Sequence, residues 1–360
     1  MSTELQRAAY SVLLPAFAGL ELDDAVRRYL QRGGVSILLG ESRDEYLARN
    51  MSFERRRRET QAHFMGIAEQ VTAYAGSPVL VAVDQELGGI QRLHRLVPGM
   101  PTADELKGLS AEAIEARSYE MASSARVMGV NLFLAPIVDV VTGTNPWLHN
   151  RTLGTDPVEV SRIACAFIRG VQRAGVIATA KHFPGHYQTE HDPAVALASV
   201  PGSVQDLEQG LGVFRDVIAA GVQAIMPGPA VFPALDPLQS ASTSEKVISL
   251  LRDHLGFGGL IISDDLDAVS ILRGNSIADT AINALNAGAH LLLVSSESGL
   301  DDLAQAIIDA AENGRLDRLQ LLRAAEKVRD LARASKAQVD TGLYVSYPIC
   351  GGHLTRRVTR

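Results

Sequence analysis

The stretch "KHFPGHYQTEHDPAVAL", Lys181 to Leu197, begins like catalytic machinery: a lysine, two histidines and a Pro-Gly turn, followed by Glu190, His191 and Asp192. Other ionisable residues stand at the ends of apolar runs. Asp84 and Glu86 close "VLVAVDQE", Asp139 lies near the end of "NLFLAPIVDV", and Asp264 and Asp265 close "GLIISDD". Such groups are costly beside an apolar core unless they are paired or used. Carboxylates accept from adjacent hydroxyls and a lysine ammonium donates to several oxygens, so this set suits a polyhydroxylated ligand. No His, Cys and carboxylate cluster has metal-ligand spacing, and "GFGGL" enters a strand instead of opening a helix, so neither a metal, a nucleotide nor another cofactor is expected.

Eight apolar, β-rich runs would have to position these residues: Ser11–Phe17, Val35–Gly40, Val79–Asp84, Asn131–Val140, Val176–Phe183, Val222–Gly228, Gly259–Asp265 and His290–Ser295. Most are nearly continuous in apolar residues, the pattern of strands buried on both faces. Helical stretches such as "DDAVRRYLQRG" and "DPVEVSRIACAFIRGVQRAG" lie between them and end in glycine, as helix C-termini often do. The alternation predicts an α/β fold, a closed (β/α)8 barrel of the TIM type in one domain over 1–335, with an open doubly wound sheet as the alternative. Residues 336–360 read as a C-terminal tail. In a barrel of this kind the strand ends above converge on one rim, where active sites lie.

The composition is that of an ordinary globular protein, 46% hydrophobic and 21% charged, with a formal charge of −7 that favours neither nucleic acid nor an anionic membrane. Arg55–Arg58 is the one basic block and reads as a solvated helix face. Two cysteines are too few for a disulfide framework, and neither a signal peptide nor a membrane-spanning run is evident. A cytoplasmic location and a small-molecule partner are expected.

The motifs together resemble family 3 glycoside hydrolases, specifically single-domain bacterial β-N-acetylglucosaminidases, over roughly residues 10–335. "VAVDQELGGIQRL" is similar to the family's DQEGGRVQRL, "NRTLGTDP" to its R-(S/A)-F-G-x-D-P turn, "KHFPGH" to its hallmark, and "GFGGLIISDDL" to the strand that carries the nucleophile. The resemblance implies a retaining β-glycosidase with Asp264 as nucleophile and Asp84, Arg92, Arg151, Lys181 and His182 binding the sugar.

The resemblance fails where the family continues to Asp-Ser-His, whose histidine is its acid/base. Here Asp192 is kept, but Pro193 and Ala194 follow. The glycine after the second histidine is Tyr187, which reads as a wall of an altered pocket, and a histidine after the sixth strand is replaced by Pro229. His191 or Glu190 could replace the lost donor, Asp192 could act alone, or the loop could be solvated. The reading left open is therefore a retaining glycosidase with an altered acid/base loop, an enzyme that transfers the glycosyl unit to an acceptor other than water, or a sugar-binding homologue without turnover.

Overall fold

The computed structural model describes residues 3–340, with side chains described to Ser335. Every apolar run of the sequence contains a strand: β1 (Leu13–Phe17), β2 (Ser36–Leu39), β3 (Leu80–Val83), β4 (Leu132–Phe133), β5 (Ile177–Phe183), β6 (Ala224–Pro227), β9 (Leu260–Ile261) and β10 (Leu292–Ser295). They pair in parallel in the order β10-β1-β2-β3-β4-β5-β6-β9. The two ends of this order meet. Ile262 bridges Leu291, and the Ser263 N–H donates to the Leu291 carbonyl at 2.9 Å. The sheet is thus a closed barrel and not an open doubly wound sheet.

One addition was not visible in the sequence. Between β6 and β9 the chain makes an antiparallel hairpin, β7 (Val231–Phe232) and β8 (Asp236–Ser240). Its strands are short and β8 begins Asp-Pro, so neither the alternation nor the apolar run of an ordinary strand announces it.

The barrel interior is a cluster of Leu14, Leu38, Leu80, Leu132, Ile177 and Leu293 with their neighbours, joined by Val328 and Ala332 of the last helix, Arg318–Asp340. That helix lies across the strands' N-terminal ends. Arg329 bonds Ser11 just before β1, Lys327 bonds the Gly258 carbonyl just before β9, and Arg126, which precedes β4, bonds the Ser335 carbonyl. The boundary expected at 335 therefore falls inside a helix that continues to Asp340; the rest of the expected tail, 341–360, lies outside the described residues. With this end plugged by apolar side chains, a ligand has only the opposite end to enter.

The outer layer is helical. Helix Pro157–Arg173 starts at the Asp156 cap with proline in its first turn and packs on helix Ala111–Val127. Gly129, which follows the latter, has φ +88° and leaves only 2.3 Å between a hypothetical Cβ and Ala68, so no other residue fits there without displacement. Among the described residues no helix is long and apolar enough to cross a membrane.

The basic block corrects the reading of a solvated face. Arg57 and Arg58 are exposed, but Arg55 is an internal tie: Nε bonds Glu45 at 2.8 Å, and one terminal nitrogen bonds the Ala18 carbonyl at 2.7 Å and Glu59 at 2.9 Å. Glu59 also takes a two-pronged bond from the fully buried Arg92, at 2.7 and 2.9 Å, and a contact from His94 at 3.1 Å. Burial opposes ionisation of Glu59, yet its bonds from His94, Arg92 and Arg55 hold it down to about 2. Glu59→Ala would strand the buried guanidinium of Arg92, while Arg55 keeps Glu45, and should cost about 3–5 kcal/mol. Denaturant titration should show a lower midpoint; an unchanged midpoint would refute the role of this tie.

Candidate active site

The strands' C-terminal ends surround a cavity of about 530 Å³. Asp84 beyond β3, Lys181 and His182 on β5, and Asp264 and Asp265 beyond β9 all line it, as does Arg151 from the loop after β4. The geometry thus brings Asp84, Arg151, Lys181, His182 and Asp264 together.

Their charges alternate. Lys181 Nζ lies 2.7 Å from Asp84 Oδ1 and 2.9 Å from Glu86 Oε1, and Arg151 Nη2 lies 2.6 Å from the same Glu86 oxygen. Glu86 is fully buried; burial alone would raise its pKa, but Arg151 and Lys181 hold it well below the usual carboxylate range. Lys181 is correspondingly held above the ordinary lysine value by Asp84 and Glu86 in spite of burial. Gly89 follows from this arrangement, because a Cβ there would fall 1.9 Å from Glu86 Oε2 and 2.9 Å from Arg151 Cγ.

His182 is fixed from behind. Its Nδ1 lies 2.8 Å from Asp139 Oδ2, and Asp139 also accepts the backbone N–H groups of His182 (3.1 Å) and His186 (2.7 Å). Trp147 packs on the His182 ring with centroids 4.5 Å apart. Burial, reinforced by Lys181 and Arg151, pushes the His182 pKa well below its ordinary value, so the ring is neutral. With Nδ1–H donated to Asp139, Nε2 presents a lone pair to the cavity and can accept from a hydroxyl. Asp139, His182 and His186 are also the only described residues grouped as metal ligands might be, with candidate atoms within 4.8 Å of one another. Both Asp139 oxygens, however, are already engaged by backbone and ring donors, which makes the group a clamp for the β5 loop.

Asp264 sits 4.0 Å from His182, Oδ2 to Nε2. Its backbone N–H donates to Ser242 Oγ at 3.0 Å, and Ser242 in turn donates to the Pro227 carbonyl at 2.9 Å. The β7–β8 hairpin leads directly into the turn Ala241–Thr243, so the addition hidden in the sequence positions Asp264. One carboxylate oxygen, Oδ1, accepts the Asp265 N–H at 2.8 Å. The other, Oδ2, is shielded and has no hydrogen-bond partner among the described residues. Burial pushes the Asp264 pKa up to about 6. An ionised carboxylate with one shielded, unpartnered oxygen at the cavity is suited to attack an electrophilic carbon.

Three expected site residues lie elsewhere. Arg92 does not line the cavity: beyond its pair with Glu59, its Nε donates to the Gly40 carbonyl at 2.6 Å, so its donors serve the wall behind the cavity. His191 is exposed and also does not line it, because the loop turns that residue to solvent; Glu190 is exposed too. Asp192 turns back on its own loop, with Oδ1 accepting the Ala194 N–H at 2.9 Å and Oδ2 lying 3.6 Å from Arg49. Pro193, Ala194 and Pro229 do line the cavity, so the departures from the motif form an apolar part of the wall. Tyr187 is not part of it; its hydroxyl donates to the Pro201 carbonyl. Sequence reasoning missed Trp147, Ser242 and Glu41. Glu41 stands one residue beyond the second apolar run and two beyond β2, near a strand's C-terminal end as Asp84 is, and that was the available signal.

Known proteins share this arrangement of elements. The family model for the glycosyl hydrolase family 3 N terminal domain matches residues 19–331. A β-hexosaminidase of Stenotrophomonas maltophilia is 30% identical over 304 residues, 82% of this chain and 87% of that one. One from Nitrosomonas eutropha is 30% identical over 274 residues, 73% of this chain and 79% of that one. Among solved structures, a family 3 β-N-acetylglucosaminidase from a Paenibacillus species superposes with a TM-score of 0.82 at 30% identity, covering 98% of this chain but 66% of that longer one. With the fold, the strand-end carboxylates and these matches in agreement, the chain belongs to glycosyl hydrolase family 3, through the N-terminal domain that defines it.

Proposed function

We propose that the protein is a retaining β-glycosidase acting on a β-N-acetylglucosaminide or related glycoside through a covalent intermediate on Asp264. The observation that carries this is Asp264 Oδ2, unpartnered and shielded in the cavity beside His182. In the first step this oxygen bonds to the anomeric carbon and the bond to the leaving oxygen breaks; water then releases the sugar with net retention. Asp84, Lys181, Arg151 and the neutral His182 hold the sugar hydroxyls. The named activities of the relatives support the substrate class.

Ala194 and Pro193 supply no proton, so the departing oxygen leaves as an anion or takes its proton from water. Glycosides of acidic alcohols are therefore the better substrates. Mass spectrometry of intact protein after treatment with a 2-deoxy-2-fluoro-β-glycosyl fluoride tests the intermediate. The fluorine at carbon two slows release more than attack, and fluoride needs no acid to depart. The expected result is a protein heavier by one fluoroglycosyl unit, with the added mass on the peptide holding Asp264. A protein that consumes the reagent but never carries the label would overturn the covalent route.

A further inference from the structure

The cavity carries more carboxyl groups than cleavage of a neutral sugar requires. Five carboxylates line it and Glu86 lies directly behind, whereas Arg43, Arg151 and Lys181 are its only permanent cations among the described residues. Three of these six groups have a task. Asp84 and Glu86 bind Lys181, Glu86 binds Arg151, and Asp264 faces the reacting centre.

Glu41 has none. It lines the cavity just beyond β2, and its Oε2 is shielded from solvent without a hydrogen-bond partner among the described residues. Of the nearby cations, Lys181 is committed to Asp84 and Glu86, Arg92 to Glu59 and the Gly40 carbonyl, and Arg43 stacks over the Tyr46 ring on the side of Asp265. A carboxylate left in this condition is a cost to the fold that a bound partner would remove. Its charged neighbours, Asp84, Glu86, Lys181 and Arg92, place it at the end of the cavity that grips the sugar. The wall formed by Pro193 and Ala194, where the family motif carries its proton donor, belongs to a different loop.

We propose that Glu41 is the receptor for a protonated primary amine on the sugar, so that this site takes amino sugars with a free amine in preference to their hydroxyl or N-acylated counterparts. An ammonium offers three donors to a carboxyl group that has no other partner, and its charge offsets the one Glu41 gains on losing its proton. An acetylated nitrogen brings neither charge nor more than one donor. Burial, with the repulsion of Asp84 and Glu86 added, pushes Glu41 up to about 8, so the empty site holds a proton there. Binding an ammonium exchanges that proton for the ligand's charge, and the proton leaves to solvent.

This inference rests on the sugar-binding reading of the cavity, and calorimetry on the full chain separates the two. The probes are glucose, N-acetylglucosamine and the four monoamino-deoxyglucoses with the amine at carbon two, three, four or six. At least one free-amine isomer should bind about tenfold or more tighter than glucose and N-acetylglucosamine, the scale of one charged hydrogen bond. In Glu41→Gln, which keeps shape but not charge, that preference should vanish while neutral sugars bind as before. If neutral sugars bind the wild type as tightly as every amine, or if the preference survives in Glu41→Gln, the inference falls and the sugar pocket stands. If no sugar binds, both fall. The wild-type ranking alone is decisive should the variant fail to fold.

Discussion

Asp264→Asn should lower turnover of a nitrophenyl β-glycoside by roughly 10⁴-fold or more, the scale of loss when the nucleophile of a catalytic set is removed. The substitution is nearly isosteric. The amide oxygen can still accept the Asp265 N–H, and the backbone remains tied to Ser242. Fold and sugar affinity should therefore be little changed, and the loss should fall on kcat and not on KM. The wild-type pH profile gives an independent reading of the same group. Asp264 attacks as the anion, and burial raises its pKa to about 6, so kcat/KM should rise as pH increases through that value. Below it, activity should fall about tenfold per pH unit as the carboxylate takes up its proton. An asparagine variant with near wild-type turnover, or a profile flat across this region, would remove Asp264 from the reaction.

The second large effect concerns the leaving group. Wild-type rates should depend steeply on leaving-group acidity, and Ala194→His should raise the rate on an alkyl glycoside by about 10²-fold while changing the nitrophenyl glycoside little. Ala194 already faces the cavity, so an imidazole there starts from the right wall. The loop that carries it is held in place: the Ser270 N–H donates to the Pro193 carbonyl at 3.1 Å, and the Val269 N–H to that of Ala194 at 3.4 Å. Tyr187, bonded to Pro201, does not occupy the space the new ring needs. Asp192 is committed to the Ala194 N–H and Arg49, so the ring would lack the carboxylate that orients it in the family motif, which limits the gain to the low end of acid catalysis. Equal gains on both substrates, or a wild type that cleaves alkyl and nitrophenyl glycosides equally well, would show that proton donation is already provided elsewhere.

The barrel was legible because its strands are buried on both faces and therefore uniformly apolar, and because carboxylates such as Asp84 and Asp264 interrupt those runs only at their ends. The hairpin was not, since strands of two and five residues carrying Asp236, Pro237 and Gln239 have no such signature. The candidate site divides along a related line. Residues attached rigidly to a strand end, Asp84, Lys181, His182 and Asp264, were located by position. Residues on loops divided: Arg151 reaches the cavity, whereas Arg92 and His191 sit in suggestive stretches but do not, because the direction of a loop side chain depends on partners distant in sequence. For Arg92 that partner is Glu59, thirty-three residues away. Glu41 is less legible than Asp84, because Gly40 separates it from the apolar run.

The row Asp84, Lys181, Glu86, Arg151 has a further effect on how the pocket responds to its surroundings. Each inner member touches charges of opposite sign on both sides, so none can gain or lose a proton without stranding its neighbours. Despite burial, Glu86 is held low, and Lys181 and Arg151 are held high. Glu86, Lys181 and Arg151 are therefore proton-silent through the neutral range, a fixed electrostatic background against which the raised carboxyl groups Glu41, Asp264 and Asp265 titrate. If Asp264 attacks as proposed, acidification should switch off attack at one end of the cavity without loosening the grip on hydroxyls at the other, and a bound sugar should outlast the ability to cleave it.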